Sequence, residues 1–130
     1  MKLLPIEHRA YDKAVIRGWA TDRRGFPTIL FLHGNGFAGR VYTPFLEPLA
    51  ERFDILILDL PGHGRSDKLQ PLTGFVEIAE RVHTAAVDIV PGNNSTIIGI
   101  GHSVGSVITM LCASRHPETC LLYTSDAADE

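Results

Sequence analysis

Hydrophobic residues along the chain form short continuous runs and helically spaced sets. Runs of strand length occur at Thr28–Leu32, Ile55–Leu58 and Thr96–Ile100. Continuous apolar runs of this length are typical of parallel strands that are covered on both faces. Nearer the amino terminus, side chains alternate from Val15 to Ala20, which predicts one strand of a hairpin.

Three segments with helical spacing lie between or after these runs. The first covers residues 42–53 and contains Pro48, which predicts a short or kinked helix. The second runs from about Gly74 to Val90 with an apolar inner face and a charged outer face. The third follows Ser103. Strand and helix therefore alternate, which predicts an α/β fold with a mostly parallel sheet and helices on both faces.

Composition narrows the class of protein. The chain has 130 residues, 45% of them hydrophobic, which is enough for one core and too short for two domains. The net charge is −3, and no basic run is present that would attract nucleic acid. No apolar stretch approaches the roughly 20 residues that span a bilayer, and the first residues do not resemble a secretion signal. We therefore expect a cytoplasmic protein with no nucleic-acid or membrane partner.

One short segment carries the candidate chemistry. Gly101, Ser103 and Gly105 have the Gly-x-Ser-x-Gly spacing of a nucleophile elbow, a sharp strand-to-helix turn that exposes the serine hydroxyl. Glycine is needed on both sides because a Cβ there would collide with neighbouring backbone. The helix after the serine would direct its unpaired amides at any negative charge that forms there. The strand-like run before the motif and the helical spacing after it argue against an ordinary Gly-Ser-Gly turn.

Two more glycine-bearing loops follow predicted strands. His33–Gly36 comes after the first buried run, and Asp59–Asp67 comes after the second. With Ser103 after the third run, all three loops leave the carboxyl ends of parallel strands, where open α/β sheets place their sites. Asp59 and Asp67 are expected to hold their loop by side-chain bonds to the backbone.

In His33–Gly36, Asp59–Asp67 and Gly101–Gly105 the chain resembles the α/β-hydrolase superfamily, over about Phe26–Glu118. The resemblance implies that Ser103 is a nucleophile, which attacks an ester or related acyl carbon and forms an acyl-enzyme that water then hydrolyses. The implied partner is a small-molecule acyl substrate. No cofactor and no metal are implied.

The resemblance also implies an oxyanion hole made of backbone amides. Its donors would be the amides of Val104 and Asn35, with Gly36 as the alternative to Asn35. A serine at the elbow argues against the branches of the superfamily that open epoxides or remove halides with an aspartate.

The roles of the other histidines are predicted from their positions in the chain. His33 and His63 are expected to brace their loops, in preference to a direct chemical role. His102 is expected to be a variable position of the elbow motif. His8 and His83 are expected at the surface.

A serine nucleophile requires a base and an orienting acid, which in this superfamily follow the serine in the chain. His116 is the only histidine after Ser103, and a helix rising about 1.5 Å per residue places it about 20 Å away. We therefore interpret the chain as an amino-terminal fragment, truncated after the elbow helix and inactive by itself. A non-catalytic ligand-binding or interaction module on the same fold is the alternative.

The last eleven residues differ from the rest of the chain. Residues 120–130 resemble the translation of a transposon-type sequencing adaptor, so residues 1–119 are interpreted as the hydrolase part and 120–130 as a non-native tail. An ordinary disordered acidic end is the alternative. If the tail is non-native, the elbow strand is expected to have an unpaired, apolar outer edge, which is a template for aggregation.

Overall fold

The structure is a computed structural model. It describes residues 1–9, 14–22, 25–34, 36, 38–69, 74–90 and 97–124, and of residues 121–124 it describes only the backbone. The strands in these residues are β1 (Leu4–Arg9), β2 (Val15–Ala20), β3 (Thr28–Leu32), β4 (Asp54–Leu58), β5 (Ile97–Gly101) and β6 (Cys120–Thr124). They form one sheet in the order β1-β2-β4-β3-β5-β6.

The sheet is mostly parallel, as predicted. Strand β3 pairs in parallel with β4 and with β5, and β5 pairs in parallel with β6. The predicted hairpin is also present, since β1 and β2 pair antiparallel and β2 continues antiparallel onto β4. Thr96, the first residue of the third predicted run, lies outside the described residues.

The helices are α1 (Thr43–Leu46), α2 (Phe75–Ile89) and α3 (Val104–Arg115). The first is a single turn between 3₁₀ turns at Gly39–Tyr42 and Glu47–Glu51. Pro48 lies in the second of these 3₁₀ turns, which confirms the short helix that a proline without an N–H predicts.

The central strands are apolar on both faces because each face contacts a separate core. Leu30 and Leu32 of β3 belong to the core under α2 and α3, whereas Ile29 and Phe31 pack with Leu46 of α1 in the core on the other face. Successive side chains of a strand point to opposite faces. A continuous apolar run is therefore what a sheet with helices on both faces requires.

The amino-terminal hairpin is tied to the loop after β4 by Asp67. Its carboxylate accepts the Val15 N–H at 3.0 Å and the Arg17 guanidinium at 2.9 Å. These two bonds, the Val15 backbone bond first, lower the pKa of Asp67 below its ordinary value. The prediction that Asp67 holds its loop is confirmed.

The expectation of an unpaired elbow strand is wrong. Cys120–Thr124 forms β6, which pairs with β5 in a register that sets Ile97 opposite Cys120 and Gly101 opposite Thr124. After α3 the chain turns back at His116, whose carbonyl accepts the Cys120 N–H at 3.0 Å. A helix followed by a parallel strand is the normal crossover of an α/β sheet. The outer edge of the elbow strand is therefore covered.

His83 was expected at the surface but is half-buried between α2 and the end of α3. Its ring stacks on His116 with centroids 3.7 Å apart and planes 6° from parallel. His83 Nε2 lies 2.8 Å from Thr119 Oγ1, and His116 Nε2 lies 2.9 Å from Glu80 Oε2. Glu80 also accepts the Arg115 Nε–H at 2.6 Å. The two rings thus join α2, α3 and the turn into β6.

Lowering the pH from 7 to 5 should destabilise the fold through His83. Burial first, and the charge of His116 second, lower its pKa below the ordinary 6.5. The unfolded chain then binds this proton at higher pH than the folded chain does, so stability is full above about pH 6.5 and falls as the pH is lowered. The pKa of Glu80 is also lowered, chiefly by its hydrogen bond with Arg115. The stability that Glu80 contributes is lost only at a more acidic pH than that contributed by His83.

Urea unfolding at several pH values checks this, with His83→Gln as the comparison because glutamine keeps a polar side chain that does not titrate. The stability of the wild-type chain should fall more steeply below pH 6.5 than that of the variant. Identical slopes would contradict the assignment. His33 is present in both proteins, so its own titration cancels.

Candidate active site

Ser103 lies at the turn between β5 and α3. Its backbone angles are φ 58° and ψ −121°, and it is the only non-glycine residue with positive φ in the described part of the chain. Side-chain-bearing residues avoid this conformation, which costs of order 1–3 kcal/mol. The predicted strand, turn and helix are present, and the backbone strain falls on the residue that carries the candidate hydroxyl.

The glycines of the motif allow the close packing of this turn. A Cβ added to Gly101 would lie 2.5 Å from Ser106 N, and one added to Gly105 would lie 2.6 Å from His33 O. Both distances are below any normal contact, and the obstructing atoms are backbone. The helix α3 therefore approaches β3 and β5 as closely as it does only because both positions are glycine.

The amides at the start of α3 differ in their partners. Gly105 N donates to His102 O and Ser106 N donates to Ser103 O, both at 2.9 Å. Val104 is the first helical residue, and its N–H has no acceptor within the helix. Among the residues that the structure describes, this N–H makes no hydrogen bond. The Val104 amide, the first predicted oxyanion donor, therefore lies at the serine turn with no acceptor among those residues.

The loop after β3 reaches the serine turn. A Cβ on Gly34 would lie 3.4 Å from Ser103 Cβ and 3.0 Å from His102 Nδ1, so the two loops are in contact there. The Gly34 N–H is already donated to the Tyr42 hydroxyl at 3.1 Å. Asn35, the predicted second oxyanion donor, lies outside the described residues.

His33 braces this loop, as predicted. The ring is fully buried, and its Nε2 accepts the Leu60 N–H at 2.9 Å. Nδ1 therefore carries the proton and donates it to the Gly34 carbonyl at 2.7 Å. Burial lowers the pKa of His33 below its ordinary value, which keeps the ring in the neutral form that these two bonds need.

Asp59 holds the loop after β4, as predicted. Its Oδ1 accepts the Gly39 N–H at 2.8 Å and its Oδ2 accepts the Arg65 N–H at 3.1 Å. His63 belongs to the same loop, with Nδ1 3.2 Å from Pro61 O and its ring centroid 5.2 Å from that of His33. Both side chains therefore contact the backbone or side chains of the loops after β3 and β4.

His102 is more than a variable position of the motif. Its Nδ1 lies 2.7 Å from the Tyr42 hydroxyl, and the two rings meet edge to face at 5.6 Å. Tyr42 is the first residue of the helically spaced segment 42–53, and that spacing indicates only an apolar role for it, so sequence reasoning missed this bond. The sequence signal for this bond is the Tyr42 hydroxyl, which stands among the otherwise apolar helically spaced residues of segment 42–53.

No base contacts the serine within the described residues. Ser103 Oγ makes no hydrogen bond there. His116 is bound to Glu80 beyond the far end of α3, about 20 Å along the helix axis from the serine. Nor do three His, Cys, Asp or Glu side chains of the described ranges group where they could hold a metal ion. In those ranges no helix has both the length and the apolar character to cross a membrane.

Ser103→Gly should be more stable than Ser103→Ala by about 1 kcal/mol. Both variants lose the hydroxyl, but only glycine accepts φ 58° and ψ −121° without strain. The greater entropy of glycine in the unfolded chain offsets part of the gain. Urea unfolding followed by circular dichroism measures the difference, and an alanine variant as stable as the glycine variant would show that the turn stores no strain.

These features define a class of protein: an α/β protein with a serine elbow at the carboxyl ends of its parallel strands. Residues 27–130 match the sequence model of the alpha/beta hydrolase fold family, and the chain belongs to this family. The matched region runs past Glu118, where the resemblance was expected to end.

Known proteins similar to this chain include enzymes with different activities. It is 36% identical over 92 residues to the pimeloyl-[acyl-carrier protein] methyl ester esterase of Chromobacterium violaceum, matching 71% of this chain and 33% of that protein. A membrane phospholipase A, described as a novel bacterial virulence factor, is similar with a TM-score of 0.82 and 33% identity, over 94% of this chain and 39% of that one.

A haloalkane dehalogenase from Bradyrhizobium elkani is similar in fold alone, with a TM-score of 0.81 and 20% identity, over 95% of this chain and 41% of that one. The chain spans about a third of the length of the methyl ester esterase. Because fold similarity extends to a dehalogenase, the fold does not by itself determine the reaction.

Proposed function

We propose that the protein is a serine hydrolase that cleaves a small-molecule ester or a related acyl bond in the cytoplasm, with Ser103 as the nucleophile and without a cofactor. The observation that carries the proposal is the strained backbone of Ser103, φ 58° and ψ −121°, at the start of α3. A non-glycine residue keeps such a conformation only where the surrounding structure imposes it. The relative that is a methyl ester esterase, 36% identical over 92 residues, supports the ester as substrate.

In the proposed reaction Ser103 Oγ attacks the acyl carbon while its proton passes to a base. The carbonyl oxygen becomes negatively charged and is bound by the Val104 N–H at the positive end of α3. Collapse expels the alcohol and leaves an acyl-serine, which water then hydrolyses. The second oxyanion donor is proposed to be the Asn35 amide, with the Gly36 amide as the alternative, since the Gly34 N–H is bound to Tyr42.

The base and its acid are assigned to a longer protein of which this chain is the amino-terminal part. The described histidines have other partners: His33 binds Leu60, and His116 binds Glu80. The chain matches 33% of its esterase relative, so a longer protein has room for both groups. By itself the chain is then inactive.

In the same proposal residues 1–119 belong to the hydrolase domain and residues 120–130 are a non-native tail. The pairing of β6 with β5 is compatible with either origin, since strand pairing uses main-chain groups. Resequencing the DNA across codon 119 without a transposon adaptor tests this. A reading frame that continues past Glu118 to a later aspartate and histidine is expected, and the same eleven residues followed by a stop would contradict the proposal.

Labelling with a fluorophosphonate tests the proposed activity in the longer protein. Phosphylation of Ser103, located by mass spectrometry, is expected in the wild type and absent in Ser103→Ala. Ser114→Ala is the matched control, because Ser114 is exposed and its hydroxyl donates to Leu111 O, near its own position in the helix, at 3.2 Å. An unlabelled wild-type protein would contradict the hydrolase and favour a non-catalytic binding module.

A further inference from the structure

The Tyr42 hydroxyl joins two loops of the candidate site. It accepts the Gly34 N–H at 3.1 Å and lies 2.7 Å from His102 Nδ1. Gly34 follows β3, and His102 immediately precedes the elbow serine. The Tyr42 hydroxyl oxygen therefore connects the loop after β3 to the elbow. The Tyr42 ring itself is held separately, against Phe31 with centroids 4.5 Å apart.

Both peptide groups of Gly34 are held by side chains. Tyr42 binds its N–H, and His33 Nδ1 binds its carbonyl at 2.7 Å. Glycine has more backbone freedom than any other residue, so without these two bonds the loop has several accessible orientations. These two bonds therefore restrict the orientation of the Gly34 backbone beside the elbow.

We propose that Tyr42, held by His102, is a positioning residue that fixes the Gly34 backbone, and with it the end of the loop after β3, against the elbow that carries Ser103. The inference rests on the proposed hydrolase function. The contribution of Tyr42 is the placement of this loop beside the serine, and reaction rates depend on such placement within fractions of an ångström.

Three variants separate the hydroxyl from the packing around it. Tyr42→Phe removes the oxygen and keeps the ring on Phe31. His102→Leu removes the partner of that oxygen. His102→Asn is the conservative comparison, because the asparagine oxygen can occupy nearly the place of Nδ1 and accept the same bond.

The first measurement uses this 130-residue chain and no substrate. Amide hydrogen exchange of Gly34, followed by NMR, should be faster in Tyr42→Phe and His102→Leu and close to wild type in His102→Asn. Unchanged exchange in Tyr42→Phe would overturn the proposal, since the hydroxyl would then not hold the loop. Melting temperatures measured alongside identify a variant that has simply lost its fold.

The second measurement is ester hydrolysis by the longer protein. Tyr42→Phe and His102→Leu should lower kcat about 10- to 100-fold with little change in KM, as misplacement of a catalytic donor does. The double variant should be little worse than either single variant, because both act on one bond. His102→Asn should recover most of the rate. A wild-type rate in Tyr42→Phe would overturn the positioning role, whereas an inactive, unlabelled wild type would overturn the proposed function and the inference with it.

Discussion

Gly105→Ala should destabilise the protein by roughly 2–4 kcal/mol, although alanine is the better helix former by about 1 kcal/mol. The added Cβ would overlap the Leu32 carbonyl oxygen and lie 2.6 Å from His33 O. These are backbone atoms at the end of β3, which is paired on both sides, with β4 and with β5. Because β3 is paired on both sides, its backbone cannot shift, and α3 must move away from the sheet. This movement weakens the packing of the buried Ile108 and Cys112.

Gly74→Ala is the matched control for Gly105→Ala. A Cβ on Gly74 would meet only Glu77 Oε1, at 3.3 Å, and this atom is the end of a flexible side chain. We expect a change below about 1 kcal/mol for this helix-cap position. Urea midpoints of the two variants test the comparison, and similar losses in both would show that the approach of α3 to β3 is not what Gly105 provides.

Ser103→Ala should lower kcat for ester hydrolysis in the longer protein by about 10⁴- to 10⁶-fold, the range seen when a serine nucleophile is removed from a hydrolase. In this variant water would have to attack the ester directly, and only the oxyanion donors and substrate binding would still accelerate that attack. Alanine keeps the Cβ and the strained backbone, so stability should change little and the loss can be assigned to the missing Oγ.

Ser114→Ala is the reference in this experiment also, since Ser114 lies near the other end of the same helix and is exposed. Its kcat should equal that of the wild type. If Ser103→Ala kept more than about 1% of the wild-type rate, more than a factor of 10² above the expected range, the nucleophile would be another group. The binding-module alternative is distinguished by a wild type with no turnover.

The sequence alone determined the elements and the place of the candidate site, because the signals for both are local. Apolar runs such as Thr28–Leu32 reflect burial on two faces, and α2 ends within one residue of its predicted limits at each end. The Gly-x-Ser-x-Gly spacing located the strained turn because only glycine tolerates the packing on either side of Ser103. Asp59 was predictable as a loop brace because short polar side chains in turns bond to nearby backbone amides, as Asp59 does with the Arg65 N–H.

The tertiary structure alone decided which distant residues meet. The bond between Tyr42 and His102 joins residues 60 apart in the chain, the stack of His83 on His116 depends on how α2 lies beside α3, and the covered edge of β5 depends on where Cys120 returns. Periodicity reports whether a residue faces a core and carries no information about its partner there. Those partners follow from strand order and register, which are set when all the elements pack together.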